Sequence, residues 1–572
     1  MSINKKFTKG LFLSTRWVSS EYYTKSLPKW LIEINQNLQK KLGTEQVWIK
    51  KLDRTSNTNS QVLSSKYTKE MGQAFPHKAK VGGFNYLMQK GAYFSHAEYG
   101  ILQNMTGPGH ATILTGSYPY QNGIPNNDWY NTETQDVVYC VEDQSHKTVG
   151  ANPSNPHIGT SPKNLIGTTF GDELKNAYPQ SKVVSIALKD RSAILMGGHR
   201  PDLAIWFDLE SFNWVSSDYY TSSLPKWLLE INQGLQKKLG TEQVWKKELD
   251  TFANTNSQVL ASKYTKEMGQ TFPHKAKLGG TTSLLFPAAI NMPIEVATKA
   301  IEEFKLGQGK STDVLAMSFS SHDYVGHQFG PESDEIRETT VLEDKAISDF
   351  LNYINTKIPG GLESIWIVLT ADHGVTGNPI ILQANKIPSG NINQEAIALE
   401  MDNFLIKKYG KASARWTLDP SELNFYINKK VLKEKELDLF KVRDEVAKYF
   451  TAKKDSLVGV AEVFSGSDVR RRTLPQEQHE KQILKTYFEG RSGDVTMIPK
   501  PNYVIAYAAS THMSGYSYDR YVPIIFSGKP FKAGLYAGGH VVDIAPTLAF
   551  LLGIIPPSSS EGSILEKSLL LK

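Results

Sequence analysis

Ile365-Trp366-Ile367-Val368-Leu369-Thr370-Ala371-Asp372-His373-Gly374 carries the logic of the fold in ten residues. A run of large apolar side chains, rich in β-branched residues and closed by a glycine, reads as a strand buried on both faces, as in a parallel sheet. Asp372 and His373 stand just past its C-terminal end, the edge at which open α/β sheets bind ligands. The construction recurs. Asp313-Val314-Leu315-Ala316-Met317-Ser318-Phe319 runs into Ser320-Ser321-His322-Asp323-Tyr324-Val325-Gly326-His327. Ser510-Thr511-His512-Met513 precedes Asp519 and a third run, Tyr521-Val522-Pro523-Ile524-Ile525-Phe526, which also reads as a parallel strand. Such strands predict a doubly wound, mostly parallel α/β sheet sandwiched by helices.

A single histidine is ordinarily a hydrogen-bonding side chain; three Asp/His clusters beside three strands form a constellation. Mixed carboxylate and imidazole ligands suit zinc, and Asp323-x-x-x-His327 can bring both groups to one ion. A nucleophile stands upstream, in Asn104-Met105-Thr106-Gly107-Pro108-Gly109-His110, followed by the helix-like Ala111-Thr112-Ile113-Leu114-Thr115-Gly116. A helix start offers free N–H groups and a positive dipole end to an oxygen that must lose its proton. Lys189 and Arg191 follow the strand-like Val183-Val184-Ser185-Ile186-Ala187-Leu188, where alternation would point both side chains the same way. His110 and His199 read as structural, and His322 as a group supporting Asp323 from behind.

These motifs, with Gly83-Phe84-Asn85-Tyr86-Leu87, Asn126-Asn127-Asp128-Trp129-Tyr130, Lys189-Asp190-Arg191 and Val542-Asp543-Ile544-Ala545-Pro546-Thr547-Leu548, stand in a specific order. From about Phe84 onward the chain resembles the alkaline phosphatase superfamily, in particular the single-chain bacterial phosphatases with a threonine nucleophile, close to the type I phosphodiesterase/nucleotide pyrophosphatases. The resemblance implies two zinc ions, one held by Asp323, His327 and His512, the other by Asp372, His373 and the Thr106 oxygen. It implies phosphoryl contacts from Asn127, Lys189 and Arg191, and a phospho-threonine at Thr106. Two divalent ions about 4 Å apart can clamp an in-line displacement, and fixed donors around the phosphoryl oxygens stabilise the charge that spreads there. Two cations facing one substrate favour a dianionic monoester over a monoanionic diester. The expected activity is therefore phosphomonoester hydrolysis, with phosphodiesterase or nucleotide pyrophosphatase as the alternative.

The N-terminal part departs from that pattern. Residues 17–83 repeat residues 214–280, differing at twelve of 67 positions. Stacked repeat folds use three or more units, so a near-identical pair reads as a segmental duplication whose second copy is native. The first copy, within an aberrant segment 1–83, occupies the place where the family carries a first strand ending in a zinc-ligating Asp. Asp53 is the only Asp before Thr106, and it belongs to the duplicated Lys51-Leu52-Asp53-Arg54. Two readings result: a zinc-dependent phosphomonoesterase, or an impaired relative that lacks part of its second metal site and binds phosphate or metal at most.

The remaining features bound the class. A chain of 572 residues can bury a large core. Net charge +6, without a basic tract interleaved with aromatics, gives no support for nucleic-acid binding. The single Cys140 excludes an intrachain disulfide, and its Val138-Tyr139-Cys140-Val141-Glu142 context lacks the sulfatase pattern Cys-x-Pro-x-Arg. No apolar run reaches membrane-spanning length. Lys5, Lys6 and Lys9 before Gly10-Leu11-Phe12-Leu13 resemble the start of an export signal with a shortened apolar part; the resemblance implies a periplasmic or secreted protein, a monomer acting on small phosphate monoesters. Within the catalytic domain 84–572, core segments are expected at 84–207, 281–390 and 500–555, and cap insertions at 208–280 and 391–499.

Overall fold

The structure, a computed structural model, describes residues 82–131, 133–151, 158–248, 268–269, 271–474, 477–505 and 509–570. Asp53 and the first copy of the duplication as far as Val81 lie outside them.

Helix α1 (Gly83–Lys90) leads into β1 (Ala92–Glu98), and after a short loop helix α2 (Thr106–Thr115) begins at the candidate nucleophile. A hairpin follows, β2 (Asp128–Asn131) and β3 (Asp136–Tyr139), then β4 (Glu142–Val149), β5 (Ile158–Thr160), β6 (Val183–Ala187), helix α3 (Asp190–Gly197), β7 (Leu203–Asp208) and β8 (Asn213–Ser217). Further on lie β9 (Glu242–Trp245), β10 (His274–Lys277), β11 (Val314–Ser318), α4 (Ser321–Phe329), the 24-residue α5 (Asp334–Lys357), β12 (Ile367–Thr370) and, near the end, β13 (Tyr521–Ser527) and β14 (Gly534–Tyr536).

Six strands pair in the order β11-β6-β7-β8-β4-β5, and four in the order β12-β13-β1-β14. The site-bearing part of the larger sheet is parallel: β11 runs beside β6 from Val314↔Val183 to Ser318↔Ala187, and β6 beside β7. All five residues of β6 are buried, as its unbroken small-apolar sequence requires. Its one polar side chain, Ser185, donates to the Ala193 carbonyl at 2.6 Å, which offsets the cost of burying a hydroxyl. The sheet is mixed rather than mostly parallel. In particular β13, expected to be parallel, runs antiparallel to both β1 and β12. A strand apolar on both faces declares burial but not direction, and that is why the sequence pattern misleads here.

Two strands carry an anomaly. Among the described residues β11 pairs only with β6 and β12 only with β13. Every residue of both is half-buried, although each is an apolar strand at the heart of the fold. Val314 and Ala316 of β11 share one apolar cluster with Val368 of β12. Both strands deliver their C-terminal ends to the same place, as the site below requires, so they run the same way.

The block 208–280 is not a separate cap throughout. Asn213–Ser217 is β8 of the larger sheet, and Trp214, Leu224, Trp227 and Leu228 are buried in the same apolar core as Ile186 and Ile205. Residues 391–499 do build their own core, around Trp416, Phe425, Val446 and Phe450, which reaches Met105 and Met513 beside the site residues Thr106 and His512.

Candidate functional site

The site forms where α2, the start of α3, the start of α4 and the loop after β12 meet. Thr106 is the first residue of α2, follows the extended Met105, and is 1% exposed. A helix start leaves N–H groups without intrahelical partners. The Gly107 N–H donates to the Asn127 side-chain oxygen at 2.7 Å, so Asn127, at the entry to the β2–β3 hairpin, is drawn against the residue after Thr106. Gly109 is required by a close approach. A Cβ there would stand 2.3 Å from the Asp372 carbonyl oxygen, so α2 lies directly on the loop that bears Asp372.

Lys189 joins the pieces. Its Nζ is 3.4 Å from Thr106 Oγ1 and 2.5 Å from Asp323 Oδ2, and it lies over the Tyr324 ring. The expected alternation does not hold, because β6 ends at Ala187 and α3 begins at Asp190, with Lys189 as the residue before its first turn and Arg191 within that turn. Lys189 faces Thr106. Arg191 instead hydrogen-bonds through Nη1 to the Tyr139 hydroxyl at 3.1 Å.

Asp323, His327, Asp372, His373 and His512 converge. Asp323 Oδ1 is 3.3 Å from His327 Nε2, 3.5 Å from His512 Nε2 and 4.0 Å from His373 Nε2. His373 Nε2 is 3.2 Å from Asp372 Oδ2. The ligand atoms of Asp323, His373 and His512 all lie within 4.8 Å of one another, and the His373 and His512 rings stack at 3.4 Å. That trio takes two residues from one expected ligand set and one from the other, so the two sets are contiguous.

The histidine rings are oriented for a cation. The Nδ1 atoms of His327, His373 and His512 lie 2.9, 2.9 and 2.8 Å from the carbonyls of Ser510, Gly374 and Asn104. Each Nδ1 must carry the proton to make that bond, which leaves the Nε2 lone pair pointing at a carboxylate oxygen. Lone pairs facing lone pairs repel unless a cation or proton sits between them. His373 Nε2 is buried without a hydrogen-bond partner, and burial together with neighbouring His373 pushes the His512 imidazole down to about 3, into its neutral form. Burial opposes ionisation of Asp323, yet the Lys189 ammonium 2.5 Å away holds its carboxyl well below the usual carboxylate range. Imidazole nitrogens beside ionised carboxylates are the donor set a divalent metal takes, and the residues fit zinc.

Three supporting residues escape the sequence reading. His110 accepts a larger role than helix packing: its Nδ1 is 2.9 Å from the Thr106 carbonyl and 3.3 Å from Asp372 Oδ2, and its Nε2 is 3.1 Å from Ser318 Oγ. Tyr99, fully buried, donates to the Ala371 carbonyl at 3.0 Å. Asp519 accepts from Met513 N, Ser514 N and Ser514 Oγ through one oxygen and so fixes the loop after His512. The contacts of His110 with Asp372 and of Tyr99 with Ala371 are long-range and have no local signature. His322 pairs with Glu343 at 2.6 Å, and His199 bonds the Gly167 carbonyl at 3.0 Å, a structural role.

Comparisons with known proteins show similarity over most of the chain. The profile of the family described as Type I phosphodiesterase / nucleotide pyrophosphatase matches residues 68–520. Alkaline phosphatase PhoV of Synechococcus elongatus is 34% identical over 495 residues, covering 85% of this chain and 88% of that protein. Alkaline phosphatase PafA of Elizabethkingia meningoseptica is 33% identical over 500 residues, covering 84% and 88%. The crystal structure of wild-type alkaline phosphatase PafA superposes with a TM-score of 0.79 at 30% identity, covering 90% of this chain and 97% of that one. The chain belongs to the type I phosphodiesterase/nucleotide pyrophosphatase family, within the alkaline phosphatase superfamily.

Proposed function

We propose that this chain hydrolyses phosphate monoesters through the hydroxyl of Thr106. One observation carries the reading: a buried threonine at a helix start, with a lysine 3.4 Å from its oxygen, stands beside a carboxylate–imidazole cluster whose lone pairs call for a cation. Thr106 Oγ attacks phosphorus as the bond from phosphorus to the leaving oxygen breaks; the hydroxyl proton passes to solvent, and the leaving oxygen takes a proton from water. Water then cleaves the phospho-threonine, releasing phosphate and restoring the hydroxyl. Lys189 lowers the cost of charge on Thr106 Oγ, while Lys189 and Arg191 offer two positive charges to a dianionic phosphoryl group and so favour monoesters over diesters. Asn127 holds the helix start in register through Gly107. Asp323, His327, Asp372, His373 and His512, with Thr106, would hold two zinc ions, which supply Lewis-acid stabilisation of the developing charge. The resemblance further points to a periplasmic or secreted enzyme.

The duplicated segment 17–83, whose only Asp is Asp53, favours a second reading, an enzyme with an incomplete second metal site. Zinc-dependent hydrolysis of p-nitrophenyl phosphate by the full chain and by its Thr106→Ala variant tests both. Turnover lost in the variant supports the nucleophile. A folded parent chain with no turnover and fewer than two bound zinc ions supports the impaired relative.

A further inference from the structure

The hairpin β2–β3 does more than carry Asn127. Its two ends meet at the site: Asp128 pairs with Tyr139, and Cys140 N donates to the Asn127 carbonyl at 2.8 Å. Next to that closing pair, the Tyr139 hydroxyl donates to Asp190 Oδ1 at 2.5 Å and accepts from Arg191 Nη1 at 3.1 Å. Asp190 Oδ1 also accepts the Arg191 backbone N–H at 2.7 Å. The hydroxyl therefore sits in a closed triangle with the first turn of α3. The guanidinium plane is further restrained by the Tyr139 ring, 6.0 Å from its carbon. Arg191 Nε is buried and has no hydrogen-bond partner in the structure. A guanidinium held through one nitrogen, with a buried donor left free, is prepared for an anion. Nothing else in the vicinity takes that donor: Asp190 is engaged with Tyr139 and the Arg191 main chain.

We propose that Tyr139 is a positioning residue that aims the Arg191 guanidinium at the phosphoryl group, so that one hairpin sets both Asn127 and Arg191. The inference rests on the reading of Arg191 as a phosphoryl contact and extends it to a residue that touches no substrate. Desolvation, with Asp190 adding to it, keeps the Tyr139 hydroxyl protonated well beyond its ordinary range, so the triangle persists in alkaline solution.

The test is a double-mutant cycle on the full, zinc-loaded chain: Tyr139→Phe, Arg191→Ala and both together. Two quantities are read, the affinity for inorganic phosphate by calorimetry and kcat/KM for p-nitrophenyl phosphate against bis-p-nitrophenyl phosphate. The phenylalanine keeps the ring and removes only the hydroxyl. Loss of one hydrogen bond to a charged group predicts about a tenfold weaker phosphate affinity and a similar fall in monoester kcat/KM. The diester should change less than twofold, and adding Tyr139→Phe to Arg191→Ala should cost less than a further twofold. Equal losses from Tyr139→Phe in both backgrounds, or no loss in the parent, would overturn the proposal. An Arg191→Ala variant with parental phosphate affinity and monoester preference would overturn it from the other side, because Arg191 itself would then not contact phosphate. Phosphate binding is measurable whether or not the chain turns over.

Discussion

Gly109→Ala should disable the enzyme although alanine is the better helix former. The position lies in the first turn of α2, where alanine in place of glycine gains roughly 1 kcal/mol of intrinsic helix stability. Here the added Cβ would meet the Asp372 carbonyl oxygen at 2.3 Å and the Asp372 Cβ at 2.9 Å, where ordinary contact begins near 3.4 Å. Backbone oxygen cannot swing aside as a side chain can, so α2 and the Asp372 loop must part by about 1 Å. Overpacking of that kind costs about 1–3 kcal/mol, which cancels or outweighs the helical gain. The larger effect is on the site, because displacing Thr106 from the Asp372–His373 loop by about 1 Å costs on the order of a hundredfold in rate. The assay is kcat/KM for p-nitrophenyl phosphate at saturating zinc beside thermal unfolding, with Gly234→Ala as the control. Gly234 lies in the helix Lys226–Gln236 and an added Cβ there meets nothing within 4 Å, so that variant should be more stable by up to about 1 kcal/mol with unchanged turnover. Parental turnover and parental or greater stability in Gly109→Ala would refute the close approach of helix and loop.

Zinc removal by a chelator should lower the thermal unfolding midpoint of the parent chain, and His512→Ala should shrink that shift; a shift of equal size in the variant would exclude His512 as a ligand. Arg443→Met should destabilise the 391–499 lobe by about 3–5 kcal/mol in urea unfolding, because Asp494, also 3% exposed, loses the partner 2.6 Å away that compensates its buried charge. Glu422 supplies a pH test. Burial, with Asp128 adding to it, pushes its carboxyl up from 4.5 to about 7. Between those values the folded chain holds a proton that the unfolded chain has lost, so this group's contribution falls as pH rises through the window and is level above it. Glu422→Gln should therefore be more stable than the parent by about 3 kcal/mol at pH 8 and close to it at pH 4; an equal difference at both pH values would contradict the assignment.

The local motifs were readable because their physics is local. A strand ends, a loop turns, and Asp372-His373 or Asp323 with His327 stand at the end of it; nothing distant need be known to place them at the ligand edge of an α/β sheet. Thr106 at a helix start was legible for the same reason, through its Gly/Pro turn. Lys189 and Arg191 were recognisable as a pair, but their relative direction was not, since one residue of uncertainty about where β6 ends replaces strand alternation by helical rotation.

The sequence by itself determined the fold class, the candidate metal-ligand residue types, the nucleophile candidate and the near-identity of residues 17–83 and 214–280. Tertiary structure alone decided three further matters. It made β13 antiparallel, because burial on both faces is the same in either direction and only the neighbours β1 and β12 fix it. It took residues 213–217 into the core sheet, because β8 gains a hydrogen-bonded edge on β7 that its polar surroundings in sequence do not announce. And it assembled the site itself: His110 reaches Asp372, Tyr99 reaches Ala371 and Tyr139 reaches Asp190 across 51 to 272 positions, and such contacts exist only once the chain has closed on itself.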